Sequence, residues 1–287
     1  MVSKWLLVGA GRCGLQLARA MTAAGIEVAG VVVRSTRGRS RVRRFLPGVP
    51  AVDSGASLPP ASGILLAVPD SAIRPCAQRL APLLDTTTSV ALHTSGLLPG
   101  AELAPLSKRG CTVGSLHPLV SFPTATGPRV ALAGVTATVE GAQKAVRAAQ
   151  RLARALGMRP VPLSAAAKPR YHAAAALASN MTYALVAAAR AQLVRTGLPQ
   201  RVVTSALRPL VIGTVEAALS ARGFEKLTGP IARADAAAVR LHLEALPGRV
   251  ATAYWAAAWL AIAGLLEQGL ISEKQAQELG LALTRQA

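Results

Sequence analysis

The sequence predicts an α/β fold in which a doubly wound, mostly parallel sheet is followed by an all-helical domain. Three observations support this prediction. A glycine-rich turn joins the first apolar strand to a helix, strands and helices alternate up to about residue 160, and only long Ala-rich helices follow Pro169. The change of pattern predicts two domains, residues 1–162 and 163–287.

The composition is that of a folded protein with a substantial core. Hydrophobic residues make up 52% of the 287 residues and charged residues 16%, which excludes a disordered chain. The formal net charge of +19 favours acidic small molecules, nucleic acids or anionic surfaces as partners, without choosing among them.

The first elements form one βαβ unit. Residues 5–8 are an apolar strand, a helix that Gly25 ends comes next, and a second strand covers residues 27–33. Together they fit within about 30 residues, which is the length of a right-handed βαβ unit.

The rest of the N-terminal part continues the alternation. Residues 34–45 are predicted as a basic loop or the start of a helix, and Asp70 and Ser71 are candidate caps of a later helix. The further predicted strands are 64–68, 89–92, 112–116 and 135–139, and the further helices are 71–84 and 143–156.

The C-terminal part contains one segment of nearly membrane-spanning length. Seventeen uncharged residues lie between Arg249 and Glu267, at the lower edge of that length. Because the segment is rich in Ala and includes Trp255 and Trp259, we expect a buried helix in the domain core or a dimer interface, and no membrane span.

The glycine-rich turn, GAGRCG over residues 9–14, has the spacing G-x-G-x-x-G. In such a turn Gly9 allows the tight bend, Gly11 lets the backbone approach a pyrophosphate, and Gly14 lets the helix pack on the strand. Free N–H groups and the dipole at the helix start favour phosphate. The motif in this context predicts a Rossmann dinucleotide-binding domain, with Arg12 and Cys13 also beside the cofactor.

The end of the second strand predicts which dinucleotide is bound. An NAD-preferring site usually has Asp or Glu there, whereas this chain has Arg34, Ser35 and Arg37 and no carboxylate between Glu27 and Asp53. Guanidinium and hydroxyl groups suit a 2′-phosphate, so we expect NADP(H). Six arginines between residues 34 and 44 could also contact nucleic acid, but aromatic interleaving and a recognition-module pattern are missing, so nucleic acid is not an expected partner.

Later strand ends supply further candidates. Because open α/β sheets bind ligands outside the carboxyl ends of their strands, we expect Val68, Pro69, Ser95 and Gly96 to lie along the cofactor. His117 closes the next strand. It either faces a substrate or is a structural histidine that caps the strand.

The helical domain opens with Lys168 and Pro169, a pair that predicts Lys168 as the N-cap. His172 follows about one turn later, and Asn180 lies two turns further on roughly the same side. Lys and His near the positive end of a helix lose a proton more easily, which suits proton donation to a substrate. The alternatives are a solvated linker lysine and an Asn180 that bonds a neighbouring helix.

A polar break near residue 230 supplies a candidate substrate-binding residue. Pro230 is predicted to begin a helix with Arg233 and Asp235 in its first turns. Arg233 either holds a substrate carboxylate or pairs with Asp235 to fix the turn.

Cysteine and acid usage indicates a reduced, metal-free protein. Cys13, Cys76 and Cys111 form no CxxC pair, and no His/carboxylate cluster has metal-ligand spacing. We expect a cytoplasmic protein without a signal peptide.

The segments GAGRCG, AVPD, HTSG, GSLHPLVSF, KPRYHAAAALASN and LTGPIARAD together resemble a family of Rossmann-like NADP-dependent reductases. Its C-terminal domain is of the 6-phosphogluconate-dehydrogenase type, and its wider group includes ketopantoate reductase, pyrroline-5-carboxylate reductase and hydroxyisobutyrate dehydrogenase. The resemblance implies NADP-dependent reduction and a homodimer through the helical domains. It also implies a proton-donating helical Lys with an Asn one turn later. Lys168 matches this Lys, but His172 stands one turn later, so either of the two is expected to donate the proton.

The predicted function is therefore an NADPH-dependent oxidoreductase that reduces the carbonyl of a small anionic 2-oxo acid, similar to ketopantoate. Two alternatives stay open. One is reduction of a cyclic imine, similar to pyrroline-5-carboxylate, which arrives protonated and needs less from Lys168. The other is an NADP-binding sensor or interaction protein without chemistry.

Overall fold

The computed structural model describes Val2 and residues 4–284. By compactness the chain divides into a first unit, Met1–Ser179, and a second unit, Asn180–Ala287. The first unit contains an eight-stranded sheet and the second is helical. The predicted fold class is confirmed.

The sheet is parallel except at one pair. Its strand order is β3-β2-β1-β4-β5-β6-β7-β8, and β6 and β7 pair antiparallel. The strands are β1 Lys4–Val8, β2 Glu27–Val33, β3 Ala51–Asp53, β4 Gly63–Leu66, β5 Val90–His93, β6 Thr112–Pro118, β7 Thr136–Gly141 and β8 Arg159–Pro162.

The two edge strands, β3 and β8, were not predicted. Strand β3 has three residues, too few for a periodic pattern, and β8 contains Pro160 and Pro162. Proline cannot donate to a central ladder but is tolerated at a sheet edge, where β8 lies.

Both faces of the sheet are covered, which explains its continuous apolar strands. The neighbours Leu6 and Leu7 are both buried, but they belong to different cores because successive strand residues point to opposite faces. Leu7 packs in the core that contains residues of α1, α2 and α5, and Leu6 in the core that contains residues of α3 and α4. The helices are α1 Arg12–Ala23, α2 Thr36–Phe45, α3 Asp70–Leu80, α4 Ala104–Ser107 and α5 Gln143–Ala155.

Two helix starts in this unit differ from or refine the prediction. Helix α2 occupies most of the segment predicted as a loop or helix start, and its N-cap Ser35 accepts a hydrogen bond from Gly38 N. The predicted capping of α3 by Asp70 and Ser71 is wrong, because Pro69 is the N-cap and Asp70 is already helical.

The first unit also includes helix α6, Lys168–Ala176. Its N-cap is Ala167, so the predicted N-cap at Lys168 is wrong by one residue. The cause lies one turn earlier, where Ser164 caps a short 3₁₀ turn that brings the chain into helical geometry before Lys168. The predicted domain boundary at residues 162/163 coincides with the end of β8, whereas the compact units divide after Ser179.

The second unit consists of α7 Thr182–Arg195, α8 Gln200–Ser220, α9 Ala236–Ala245, α10 Gly248–Glu267 and α11 Glu273–Leu283. Its core is formed where α9, α10 and α11 meet, with Val239, Ile262 and Leu279 at most 2% exposed. Helix α9 begins at Ala236, and the predicted helix start at Pro230 is wrong. The side chain of Asp235 caps α9 by accepting from Ala238 N at 3.0 Å. Ala234, just before it, has φ 56°, which is outside right-handed helical geometry, so the helix starts after Asp235.

Helices α8 and α10 are both long and apolar enough to cross a membrane by length and composition. The sequence pattern identified only α10. One face of α10 is buried through Ala258, Ile262 and Leu265, while Trp255 and Trp259 remain 44% and 38% exposed.

Candidate functional site

The glycine-rich turn between β1 and α1 is closely packed at both ends. Gly9 has φ +104°, a conformation that glycine adopts most readily, and a Cβ there would lie 2.6 Å from the Ala67 carbonyl oxygen. A Cβ at Gly14 would lie 2.1 Å from the Gly9 carbonyl oxygen. A Cβ at Gly11 would meet no atom within 4 Å. The turn therefore keeps an open side at Gly11, directly at the start of α1.

A cavity of about 260 Å³ adjoins this turn. Six of the predicted cofactor residues line it: Gly9, Gly11, Arg34, Ser35, Val68 and Pro69. The other six predicted cofactor residues are not among the described residues that line the cavity: Arg12, Cys13, Gly14, Arg37, Ser95 and Gly96.

Three arginines give this cavity a basic lining. Arg34 follows β2, Arg41 lies on α2 and Arg79 on α3. The guanidinium of Arg41 donates to the Ala10 carbonyl oxygen at 3.3 Å, which holds it against the glycine turn. Arg39, on the same helix, is ion-paired with Asp53.

Sequence reasoning missed Arg41, Arg79 and Ser54 as lining residues. For Arg41 a signal exists, because it stands three residues after the buried Gly38 and therefore shares a helix face with it. Taking residues 36–45 as a helix would have found it. Ser54 follows β3 and Arg79 lies on α3, and neither element belongs to the glycine motif. The tertiary fold places both residues in the lining of the cavity.

These residues fit a dinucleotide. The free N–H groups at the start of α1 and the open side at Gly11 suit a pyrophosphate. Arg34, Ser35, Ser54 and the other two arginines supply donors for a further phosphate. Arg12, the first residue of α1, is exposed. Burial raises the pKa of the Cys13 thiol to about 11, so the thiol is protonated near pH 7.

A second group of polar residues lies at the carboxyl ends of β5 and β6. The Lys168 side chain, 1% exposed, reaches from the start of α6 to donate to the Ser95 carbonyl oxygen at 3.0 Å and to Ser115 Oγ at 2.9 Å. Glu140 Oε2 lies 4.0 Å from Lys168 Nζ and accepts from Ser115 Oγ at 3.1 Å. Lys168 is therefore a buried cation in a hydrogen-bonded network, not a solvated linker residue.

The environment of Lys168 weakens its hold on its proton. Burial lowers the pKa of the ammonium, because a low dielectric disfavours the charged form, while the carboxylates of Glu140 and Asp70 act in the opposite direction. His93, also buried, donates from one ring nitrogen to the Pro99 carbonyl oxygen and accepts from Ser95 N with the other. His93 is thus a structural residue that fixes the backbone at Ser95.

His117 lies beside this network. Its Nδ1 is 2.8 Å from the Oη of Tyr171, and its ring centroid is 6.3 Å from that of His172. A Cβ at Gly96 would lie 2.9 Å from the His117 ring, so the ring packs directly on the backbone there. Burial, with the charges of His172 and Lys168 as smaller causes, lowers the pKa of His117 to about 4. His117 is therefore neutral near pH 7.

Two candidates are not part of the first unit. Asn180 and Arg233 belong to the second unit, and both are exposed. The alternative role of Arg233 was an ion pair with Asp235. The ion pairs of residues 4–284 do not include this pair, and the side chain of Asp235 instead caps α9. The structure thus brings Lys168, His117 and His172 together in the first unit.

The part of the chain that the structure describes contains no group of three or more His, Cys, Asp or Glu side chains that could hold a metal ion.

Comparisons with known proteins agree with this architecture. Residues 4–118 match a family model described as a Rossmann-like domain, and residues 135–259 match a domain of unknown function, DUF2520. No match is found among curated proteins.

Three solved structures with under 25% identity share the fold. BF3122 from Bacteroides fragilis, provisionally described as an NADP oxidoreductase, has a TM-score of 0.78 at 20% identity, covering 91% of this chain and 98% of that chain. A reductive aminase from Aspergillus terreus, in complex with NADPH and ethyl-5-oxohexanoate, has a TM-score of 0.58 at 15% identity, covering 98% and 93%. A pyrroline-5-carboxylate reductase from Coxiella burnetii has a TM-score of 0.53 at 17% identity, covering 99% and 97%.

Proposed function

We propose that the protein is a cytoplasmic NADPH-dependent reductase acting on the carbonyl group of a small anionic 2-oxo acid. The observation that carries the proposal is the arrangement within the first unit. The glycine turn follows β1. The network of Lys168, Ser95 and Ser115 lies at the carboxyl end of β5 and beside it on β6, on the same edge of the part of the sheet in which β1, β4, β5 and β6 run parallel. In such sheets that edge is where ligands bind.

The basic lining supports NADPH over NADH. Arg34, Arg41 and Arg79 line the cavity with Ser35 and Ser54, and no carboxylate is in the described lining. Charge-assisted bonds from guanidinium groups to a phosphate contribute about 1.5–3 kcal/mol each. A ribose without the 2′-phosphate would offer these cations no anionic group to pair with. The predicted contact of Arg37 stays a prediction.

The residues of the network would bind the substrate and supply its proton. Reduced nicotinamide, when bound, supplies a hydride. A positioned donor contributes roughly 10² to 10⁴ in rate. Lys168, with a lowered pKa, and His172 are the candidate proton sources, and His117 is a neutral group beside them. Arg233 is a candidate for binding the substrate carboxylate, and Asn180 for positioning the substrate.

Reduction of a cyclic imine is the second candidate function. This function is supported by the fold that the chain shares with two solved structures, one named as a reductive aminase and the other as a pyrroline-5-carboxylate reductase. A protonated imine needs no proton from the protein, so this function makes smaller demands on Lys168.

The deciding experiment follows the loss of NADPH absorbance against a panel of 2-oxo acids and cyclic imines, with NADH in parallel. Turnover of 2-oxo acids with NADPH is the expected result, and turnover of imines alone would favour the second candidate. Tight NADPH binding without turnover of any substrate would overturn the enzymatic proposal and favour an NADP-binding sensor or interaction protein.

The proposal includes a homodimer formed through the second unit. Helices α7 and α8 expose large apolar side chains, with Tyr183, Leu210 and Leu219 79%, 65% and 82% exposed. Such a surface is typical of a protein–protein interface. Arg208 and Glu216 lie within α8, and charged groups are costly inside a bilayer, which favours a protein partner over a membrane.

A further inference from the structure

Tyr171 contacts the candidate site but has no role in the function proposed above. It stands in the first turn of α6, and its Oη lies 2.8 Å from Nδ1 of His117, at the end of β6. The two rings meet edge to face, with centroids 5.6 Å apart and planes at 89°. This pair connects the helix that carries Lys168 to the strand end that faces the site.

The direction of this hydrogen bond follows from the surroundings. Burial raises the pKa of Tyr171, so the phenol keeps its proton. Oη lies 2.8 Å from Nδ1 of His117, so the one hydrogen of the protonated phenol is directed at Nδ1, which accepts it.

The other nitrogen of His117 lies against Gly96. A Cβ at residue 96 would be 2.9 Å from Nε2 and from Cε1, so only glycine allows the ring this close to the backbone. Nε2 forms no hydrogen bond with any described residue, whereas Nδ1 is bonded to Tyr171. Because Nδ1 accepts the hydrogen bond from Tyr171, it carries no proton, and the single proton of the neutral ring is on Nε2.

We propose that Tyr171 is a positioning residue that holds His117 as the Nε2–H tautomer, so that this neutral N–H donates a hydrogen bond to the substrate. The inference rests on the proposed function and narrows its substrate class. A neutral N–H donor pairs with a carbonyl oxygen, which accepts, but not with the nitrogen of a protonated imine, which only donates. With His117 facing the reacting group of the substrate, the site of the first unit would therefore favour a carbonyl over a protonated imine.

The chain offers a matched control for this pair. In the second unit, His242 Nδ1 lies 3.0 Å from Tyr254 Oη, with ring centroids 5.6 Å apart and planes at 87°. The geometry is nearly the same, but the hydrogen bond is exposed and lies on other elements. Tyr254→Phe therefore removes an equivalent bond within the second unit.

The test begins with nitrogen NMR of the histidine side chains in the full-length protein without cofactor. The expected wild-type signals of His117 show Nε2 protonated and Nδ1 unprotonated at neutral pH. Tyr171→Phe, which keeps the ring, is expected to mix the two tautomers of His117, and Tyr254→Phe is expected to leave the His117 signals unchanged. A wild-type His117 protonated at Nδ1, or unchanged signals in Tyr171→Phe, would overturn the proposal.

The second arm measures reduction kinetics with the same variants. Tyr171→Phe is expected to lower kcat for a 2-oxo acid roughly tenfold, as loss of about one hydrogen bond implies, without changing NADPH affinity. An unchanged kcat overturns the role towards the substrate, and so does turnover restricted to cyclic imines. If the wild-type protein reduces no substrate, the proposed function fails and the substrate role fails with it, while the NMR result still decides the tautomer.

Discussion

Lys168 Nζ lies 3.0 Å from the carbonyl oxygen of Ser95, a residue 73 positions earlier in the chain. This bond, with the one to Ser115 Oγ, ties the first turn of α6 to the carboxyl edge of the sheet. The ammonium is buried with Glu140 as its nearest carboxylate in the described ion pairs.

Lys168→Met is expected to destabilise the first unit. The substitution leaves Glu140 without a cation and the Ser95 carbonyl oxygen without its donor, and removal of one partner of a buried pair costs about 3–5 kcal/mol. Urea unfolding followed by circular dichroism measures the loss. Lys144→Met, at an exposed position on α5, is the control and should change the midpoint little. Equal midpoints for the two variants would contradict the structural role of Lys168.

Arg34→Asp is expected to reverse the dinucleotide preference. The substitution removes one charge-assisted bond, worth about 1.5–3 kcal/mol, and adds repulsion of a 2′-phosphate, so NADPH affinity should fall about tenfold to a hundredfold. Arg41→Ser should also lower NADPH affinity through the loss of one charge-assisted bond, but it adds no repulsion of the 2′-phosphate. Arg43→Ser, an exposed change on the same helix, serves as the control in calorimetric titrations. NADPH affinity unaffected by Arg34→Asp would show that the phosphate lies elsewhere.

Two glycine substitutions should separate binding from folding. Gly11→Ala adds a Cβ that meets no protein atom within 4 Å, so the midpoint of unfolding should hardly change while dinucleotide affinity falls. Gly14→Ala places a Cβ 2.1 Å from the Gly9 carbonyl oxygen, so both stability and affinity should fall. Full affinity in Gly11→Ala would contradict a pyrophosphate at the start of α1.

The stability of the first unit should fall as the pH drops from 6.5 towards 4. The pKa of His117 is lowered from 6.5 to about 4, so within this window the unfolded chain binds a proton that the folded protein does not. Stability then rises with pH through the window, by at most about 3 kcal/mol from this group. Tyr171, His172 and Lys168 are the titratable groups around it.

His117→Gln should reduce this pH dependence, measured as the difference in unfolding free energy between pH 4 and pH 7. His93 contributes in the same direction, because burial lowers its pKa too, so the comparison is between the variant and the wild type. An identical pH dependence in both proteins would show that the fold does not hold His117 as a neutral, half-buried ring.

The homodimer proposal predicts a change of mass with one double substitution. Leu210→Glu with Leu219→Glu places two charges among the exposed apolar side chains of α8, on two sides of the helix, and should convert a dimer into a monomer in light scattering. Val161→Glu, on an exposed edge strand of the first unit, is the control. A wild-type monomer at micromolar concentration, or a protein dispersed only by detergent, would contradict the dimer.

Local sequence patterns predicted the fold and part of the lining of the cavity beside the glycine turn. The turn over residues 9–14 and the apolar strands follow rules of short range, and the structure places Gly9, Gly11, Arg34 and Pro69 around one cavity. The short strand β3 has too few residues for any periodicity to reveal it. The predicted N-cap of α6 at Lys168 was also wrong, because the short turn that Ser164 caps determines where this helix starts.

The contacts of Lys168 and His117 depend on chain segments that are distant in sequence. Lys168 was a candidate because of its place at a helix start, but its partners on β5 and β6 follow from the tertiary fold. The pairing of Tyr171 with His117 joins residues 54 positions apart. Neither the spacing of residues along the chain nor the composition predicts such a contact.

The assignment of the cavity to NADP(H) is tested most directly by titrating the wild-type protein with NADPH and NADH and following nicotinamide fluorescence. The three arginines and two serines of the lining predict NADPH binding at least tenfold tighter than NADH binding, and a preference that weakens as salt rises. Equal affinity for the two dinucleotides, or binding of neither, would contradict the central claim.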